Sequence, residues 1–438
     1  MSFALCRKRS LLALLAAAAL CPRTPAGCPS DQAGEADPAA TIPLGGPLSE
    51  RPKLTADWFG CRTALQDGGV TLDAGTTQYY QGVASGGLRQ EFPYGGRNDY
   101  FLNLDGEKLG LWRGLTATVH AESRYGESAN FLTGALSPVN ELLAVPEFAG
   151  YALGLTAVRL NQAVGENALV YAGKINTFDD IRQPLTGAGP RDGFWNTSLI
   201  FNPIYARTLP FSTYGAGLAL LADDQAVLAL AVFDTNNTPT VTGFDTFFDN
   251  GVTIFAQLNL PTRFFGLPGH QGVSGTYSSG RYTSLTPSPY LDPIQGLFVQ
   301  PEAKTGSWCL SYNFDQALHA DPGDPARVWG VFGHLGLADD NPNPIRYSVG
   351  VGLSGASPLR GRPRDTFGVG YYFLGVSDPL KQFAGPAVPL RNEQGVDLYY
   401  NAAVTPWLHV TPDVQVVEPL LRQADTALLF GLRARLDF

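Results

Sequence analysis

The chain has little charge for its length. Asp, Glu, Lys and Arg make up 16% of its 438 residues, well below the share of about a quarter usual in soluble domains. The balance is acidic, and without Arg7, Lys8, Arg9 and Arg23 it deepens from −9 to −13. An acidic chain repels phosphate backbones, which argues against nucleic acid as a partner. Long hydrophobic runs are also missing. Past the first turns of the N-terminus no stretch approaches the roughly eighteen uncharged apolar residues of a membrane-spanning helix. Mean hydropathy is −0.03, far from that of a helical membrane protein. Cysteine is sparse: Cys6, Cys21, Cys28, Cys61 and Cys309 show no Cys-x-x-Cys and no metal-ligand spacing. Cys61 and Cys309 could pair in an oxidising compartment or stay apart. There is no Gly-x-Ser-x-Gly, no His-Glu-x-x-His and no Walker loop. The reading is therefore not an enzyme, with no cofactor and no metal. Gly350-Val351-Gly352-Leu353-Ser354-Gly355 fits a dinucleotide-binding spacing, but Ala-Ser-Pro-Leu-Arg-Gly follows it instead of a helix, so these are small residues of a strand and its turn.

What is present is alternation. The chain carries 50 Gly, 33 Pro and 11% aromatics. In the final run, Phe430, Leu432, Ala434, Leu436 and Phe438 share one face, and Leu429, Gly431, Arg433, Arg435 and Asp437 share the other. A strand places alternate side chains on opposite faces. A strand of this length can cross a bilayer when tilted, with its apolar face to lipid and its charged face to a water-filled lumen. In Leu115–Arg124, Leu115, Ala117, Val119 and Ala121 oppose Thr116, Thr118, His120, Glu122 and Arg124. In Leu169–Asn176, Leu169, Tyr171 and Ile175 oppose Lys174 and Asn176. In Leu408–Val416, Leu408, Val410, Val414 and Val416 oppose His409, Thr411, Asp413 and Gln415. The phases put Leu115, Val119, Leu408, Val410, Leu432 and Leu436 outside a barrel, and Thr118, Glu122, Lys174, Gln415 and Arg433 inside.

Asp223-Asp224-Gln225 joins two apolar runs as a tight hairpin, and Tyr347–Leu353 pairs with Phe367–Leu374 across a longer connection. Segments rich in Pro, Gly and charge, 126–149, 177–195, 284–303, 319–327, 339–346 and 376–394, read as loops. Short turns alternating with long loops are the habit of an outer-membrane barrel. No helical stretch separates the strands, which weighs against a parallel α/β sheet.

The N-terminus supplies the compartment. A basic Arg7-Lys8-Arg9, the apolar run Leu11–Leu20, and Thr24 and Ala26 at small-residue positions read as a secretory signal over 1–26. Lipidation at Cys21 or Cys28 is a minor alternative, with Leu20 and Pro25 poor neighbours for it. Residues 27–53 read as a flexible linker. The domain proper is 54–438. It opens on a short helix that Thr55 or Asp57 can cap and Gly68 can end.

Four segments, in order, carry a resemblance. They are Leu54-Thr55-Ala56-Asp57-Trp58-Phe59-Gly60-Cys61-Arg62-Thr63; Gly173-Lys174 followed by Phe178-Asp179-Asp180; Phe233-Asp234 with Asn236-Asn237 and Gly243-Phe244; and Thr405-Pro406-Trp407-Leu408 through Val410-Thr411-Pro412-Asp413-Val414-Gln415, ahead of the Gly431–Phe438 ending. From 54 to 438 the chain resembles the carbohydrate-selective porins of the OprB type. It departs from that pattern at Phe59 and Cys61, which replace small or polar residues, and after Gln415, where a Tyr is missing. The resemblance implies sugar diffusion through a trimeric or monomeric barrel inserted by the barrel-assembly machinery into outer-membrane lipid.

Together the readings give an all-β fold: a transmembrane antiparallel β-barrel of about 16 strands, with long outer loops and the short N-terminal helix. The expected function is passive diffusion of carbohydrates across the cell outer membrane. The alternatives are a general-diffusion porin without sugar selectivity and a secreted soluble glycan-binding β protein. Candidate pore-lining residues are Glu122, Arg124 and Lys174, taken from strand phase, and Asp179, Asp180 and Arg182, at the start of a loop that could fold inward. The simpler alternative is that these are charges on a polar wall with no special role.

Overall fold

The computed structural model describes residues 46–144, 153–222, 225–286, 288–292, 296–300, 302–385 and 388–438. The expected signal at 1–26, most of the linker and part of the 126–149 loop lie outside the described residues.

The chain runs β1 (Val70–Gly87), β2 (Tyr94–Asp105), β3 (Leu115–Gly126), β4 (Gly154–Val164), β5 (Ala168–Asn176), β6 (Ser212–Ala222), β7 (Gln225–Asp234), β8 (Val252–Phe264) and β9 (Leu267–Thr283). It continues with β12 (Ala303–Asp321), β13 (Asp324–Ala338), β14 (Ile345–Ala356), β15 (Thr366–Val376), β16 (Glu393–Ala403), β17 (Leu408–Glu418) and β18 (Asp425–Asp437). Each pairs antiparallel with its neighbours, and β18 closes on β1 with Gly82 opposite Phe430 and Gly75 opposite Asp437. The result is the closed 16-stranded barrel that the alternating runs predict. Closure matters physically because an open edge would leave unpaired N–H and C=O groups in lipid. Between β9 and β12 lies a separate hairpin, β10 (Ser288–Asp292) with β11 (Gly296–Gln300).

The outer wall is apolar, as an acyl-chain solvent requires. Leu160, Leu220, Leu258, Leu310, Leu398 and Leu432 are all exposed on it. Aromatic pairs such as Tyr94 with Tyr125 and Tyr347 with Phe373 sit toward one rim, and Trp112, Phe264 and Phe265 stand exposed at the other. This is the girdle arrangement of membrane barrels.

One rim carries the long connections: β3–β4, β5–β6 (177–211), β7–β8 (235–251), β9–β12 and β15–β16. The other carries short turns and both ends of the domain. The segment 319–327, expected as a loop, is instead the tip of a long hairpin. β12 runs to Asp321 and β13 starts at Asp324, because the strand ladder continues beyond the lipid belt.

At the short-turn rim, helix α1 (Cys61–Asp67) forms where the sequence placed it. Asp57 Oδ1 accepts from the Thr63 backbone N–H at 2.8 Å, and Gly68 follows the last turn. Arg62 lies over the Trp58 ring and donates to the Phe438 carbonyl at 2.9 Å. Residues 46–53, expected as flexible linker, are tethered here: Trp407 Nε1 donates to the Leu48 carbonyl and Lys53 pairs with Asp73. Cys61 is disulfide-bonded and Cys309 is a buried free thiol, so the two do not pair with each other.

Candidate functional site: a half-sealed barrel lumen

A 16-stranded barrel is wide enough to hold water, and here the long loops decide how much water enters. The β5–β6 loop folds inward across the lumen. It contains the short helix α2 (Thr197–Ile200) and a 3₁₀ turn, Pro203–Arg207. Asn196 and Asn202 cap these turns by accepting from the N–H groups of Ser198 and Ile204, the usual job of a side-chain oxygen at a helix start. The loop's apolar face meets the wall. Phe194, Leu199, Ile200 and Ile204 form one cluster with Phe332, Leu374 and Tyr399, and Trp195 packs edge-on to Tyr79 at 5.1 Å.

The wall makes room with glycine. A Cβ at Gly368 would come within 2.7 Å of the Phe194 ring, one at Gly370 within 2.8 Å of Leu199, and one at Gly431 within 2.6 Å of Trp195.

Behind this loop the inner wall is densely charged and dry. Arg97 bridges Asp99 at 2.8 Å and Glu122 at 3.0 Å. His120 contacts Asp99 at 3.2 Å and reaches Asp179, at the start of the loop, at 2.8 Å. Glu122 also accepts from Asn176 at 2.7 Å and Thr156 at 3.0 Å. Asp397 accepts from two loop amides, Trp195 N at 3.0 Å and Asn196 N at 2.9 Å. Arg433 donates to the Gly193 carbonyl and stacks on Trp195. Gln415 donates to the Val139 carbonyl in the β3–β4 loop at 2.9 Å, and Glu393 accepts from Leu136 N and Ser137 N in the same loop. Charges taken out of water need partners, and the in-folded loops supply them. Asp99, His120 and Glu122 come close enough to suggest a metal cluster, but the Arg97 guanidinium already bridges the two acids.

The opposite arc stays open. A cavity of about 1440 Å³ runs between the loop and the wall of β4 to β13. Arg159, Tyr171, Asp180, Arg182, Gln257 and Asn259 line it, joined by His270, Asn313 and Asp315. The Arg159 guanidinium lies over Tyr171, 5.6 Å from the ring centroid, and pairs with Asp180 at 2.6 Å. No residue of β1, β2, β3 or β14 to β18 lines this space. The arc thus combines aromatic faces, guanidinium donors, a carboxylate and side-chain amides around water, the mixture that a polyhydroxylated ring can contact.

The comparisons with known proteins agree with this architecture. The description "Carbohydrate-selective porin, OprB family" matches residues 89–438. This chain belongs to that family. It is a porin of the outer membrane, a channel for sugars. Porin B of Pseudomonas aeruginosa is 23% identical over 88% of this chain and 91% of its own. The high-pH structure of Pseudomonas putida OprB superposes with a TM-score of 0.75 at 21% identity, covering 89% of this chain and 99% of that one. The low-pH structure of the same protein gives 0.56 at 17% identity.

The porin places the six expected pore residues in five different settings. Asp180 and Arg182 line the open cavity. Glu122 faces inward, as its phase requires, but is fully buried among Arg97, Asn176 and Thr156. Asp179 is held by His120. Arg124 also points inward, and donates to the Leu143 carbonyl of the β3–β4 loop. Lys174 does not face the lumen. It shares a row with the exposed Val170, lies opposite the outward Val158 and Tyr214, and donates to Val241 O in the β7–β8 loop at 2.7 Å. The phase of β5 is reversed from expectation: Leu169, Tyr171 and Ile175 face the cavity. The outward set Leu115, Val119, Leu408, Val410, Leu432 and Leu436 and the inward Thr118, Gln415 and Arg433 agree with the strand rows and cross-strand partners.

Sequence reasoning missed Arg159, Gln257 and Asn259. The signal was present for Arg159, which alternates with Val158 and Leu160 in an unphased strand. Gln257 and Asn259 alternate with Ala256, Leu258 and Leu260 in the same way.

Proposed function

We propose that sugars cross this porin passively along the open arc, past Arg159, Tyr171 and Asp180, and that the sealed arc contributes by holding the constricting loop in place. The carrying observation is the cavity itself, whose lining sets one aromatic face beside an Arg–Asp pair and several amides. Ring hydroxyls can accept from Arg159, donate to Asp180 and bridge the amides, while the apolar face of a pyranose lies on Tyr171. Each contact is weak and wet, which passage requires, since tight binding would stall release. No bond is made or broken in this account.

The test is sugar block of ion current through single channels in planar bilayers. Tyr171→Ala should weaken glucose block by about threefold to tenfold, the range of a lost ring contact, and should leave folding intact. Unchanged block would remove Tyr171 from the path. The β18 apolar face and Phe438 fit recognition by the assembly machinery, so deleting Phe438 should reduce the amount of membrane-inserted protein; equal insertion would refute that role. A homotrimer or a monomer in outer-membrane lipid fits the same proposal, and cross-linking of intact membranes tells the two apart.

A further inference from the structure

The charges in the open arc are unevenly paired. Among the described cavity residues the guanidiniums are Arg159, Arg182 and Arg207, and the carboxylates are Glu141, Asp180 and Asp315. Asp180 is taken by Arg159 at 2.6 Å and Asp315 by His270 at 3.1 Å. Glu141 is buried and accepts from Thr197, and burial pushes its carboxyl up to about 7, so it carries only part of a charge near neutral pH and makes an ion pair with neither guanidinium. Arg182 and Arg207 remain.

Arg182 is exposed and satisfied only by main-chain oxygens. Its Nη1 donates to Asp179 O and Ile181 O, both at 2.8 Å. Arg207 donates through Nε to Pro342 O at 2.8 Å, and its guanidinium lies over the Tyr282 ring at 5.6 Å. Asp339 acts on Arg207 from beyond ion-pair distance and is itself held by Ser307 at 2.9 Å. Among the described residues no carboxylate lies within 4.0 Å of either guanidinium's nitrogens. Carbonyl partners fix a guanidinium without neutralising it, so both keep their charge and spare donors, Arg182 exposed on the cavity and Arg207 half-buried at its edge. In a chain of net charge −9 these two cations stand without an ion-pair partner among the described residues.

We propose that the open arc carries a weak anion subsite, built on Arg182 and Arg207, that makes sugar acids (uronates and aldonates) substrates of this pore alongside neutral sugars. The proposal rests on the sugar-pore reading and extends it. The ring uses the same aromatic and amide contacts, and the carboxylate adds a charge-assisted contact to a fixed guanidinium. Because the site is wet, the gain is modest: about twofold to fivefold in half-blocking concentration, as for exposed ion pairs. Salt should screen it.

The experiment compares block of single-channel current by glucose and by glucuronate, at equal ionic strength, through the full-length protein and through Arg182→Gln. The expected result is half-block by glucuronate at about twofold to fivefold lower concentration than glucose, with the ratio falling to near one in Arg182→Gln because glucuronate block weakens more than glucose block. Arg207→Gln, a second variant in case the first alters the loop, should move the ratio the same way. Glucuronate blocking no better than glucose in the parent channel overturns the proposal, as does Arg182→Gln weakening both ligands equally. Failure of the underlying reading looks different: glucose then gives no block at all. Block by glucuronate alone in that case still supports the anion subsite, and block by neither defeats both.

Discussion

The two arcs of this lumen obey opposite rules. Along β1 to β3 and β15 to β18 the inner wall bears Arg97, Asp99, Glu122, Asp397 and Arg433, all buried under folded-in loops. Along β4 to β13 it bears more Ala, Phe, Tyr and amide side chains, and it faces water. A polar lumen wall is usually read as the surface along which solute moves. Here much of the wall charge is taken up in holding the in-folded loops, and the open cavity lies along the other arc. The physical reason is partner count. A buried carboxylate such as Glu122 needs several donors and finds them in Arg97, Asn176 and Thr156, and its burial keeps it out of reach of a passing sugar. Asp180, exposed on the loop's open side, has one partner and room for water.

The sharpest way to break this contrast is to remove one acid from each arc. Glu122→Ala strips Arg97 of a partner inside a dry network and should cost about 3–5 kcal/mol, the usual price of a broken buried pair. It should lower the heat needed to unfold the barrel in detergent and make single channels noisy as the loop loosens. Asp180→Ala should leave stability within about 0.5 kcal/mol, as a surface change does, while altering sugar block. Equal stability losses in the two variants would erase the distinction.

A smaller effect concerns the seam between the loops, where Glu141 of the β3–β4 loop accepts from Thr197 of the β5–β6 loop. Burial raises its carboxyl from 4.5 to about 7. The folded state therefore holds the proton more tightly than the unfolded chain. The sign follows: this contribution is fully present below about pH 4.5 and is lost as pH rises through about 7. Thermal melts across that window should show stability declining with pH, and Glu141→Gln should flatten the slope. A slope unchanged by the substitution would place its origin elsewhere.

The smallest expected effect is at Lys174, which the strand pattern assigned to the pore. On the outer row, under the β7–β8 loop, its loss should leave ion selectivity and sugar block unchanged, as read by reversal potential in a salt gradient. A shift toward cations in Lys174→Ala would restore it to the lumen.

These cases show where the sequence was legible. Barrel closure, the pairing of β6 with β7 and the phases of β3, β17 and β18 follow from alternation, because lipid enforces an apolar outer row wherever the strand faces it; the turn residues Asp223 and Asp224 lie outside the described residues. β5 misled for the same reason in reverse. Its inner row, Leu169, Tyr171 and Ile175, lines the cavity, where Tyr171 and Ile175 pack with Phe233, and its outer row ends in Lys174 because a loop covers it. Phase gives the side of the wall. It does not reveal whether a loop lies on that side, so Glu122 and Asp180 looked alike until residues distant in the chain were brought together around them.

The most direct test of the two-arc account uses two glutamines that both face inward: Gln257 in the open arc and Gln415 in the sealed one. Each is replaced by cysteine with Cys309, the buried free thiol, changed to serine, and single-channel current is recorded while a negatively charged thiol reagent is added. The account predicts a stepwise drop in conductance for Gln257→Cys and no reaction for Gln415→Cys. Block at Gln415→Cys as fast as at Gln257→Cys would show that water and solute reach the charged arc, and would contradict it.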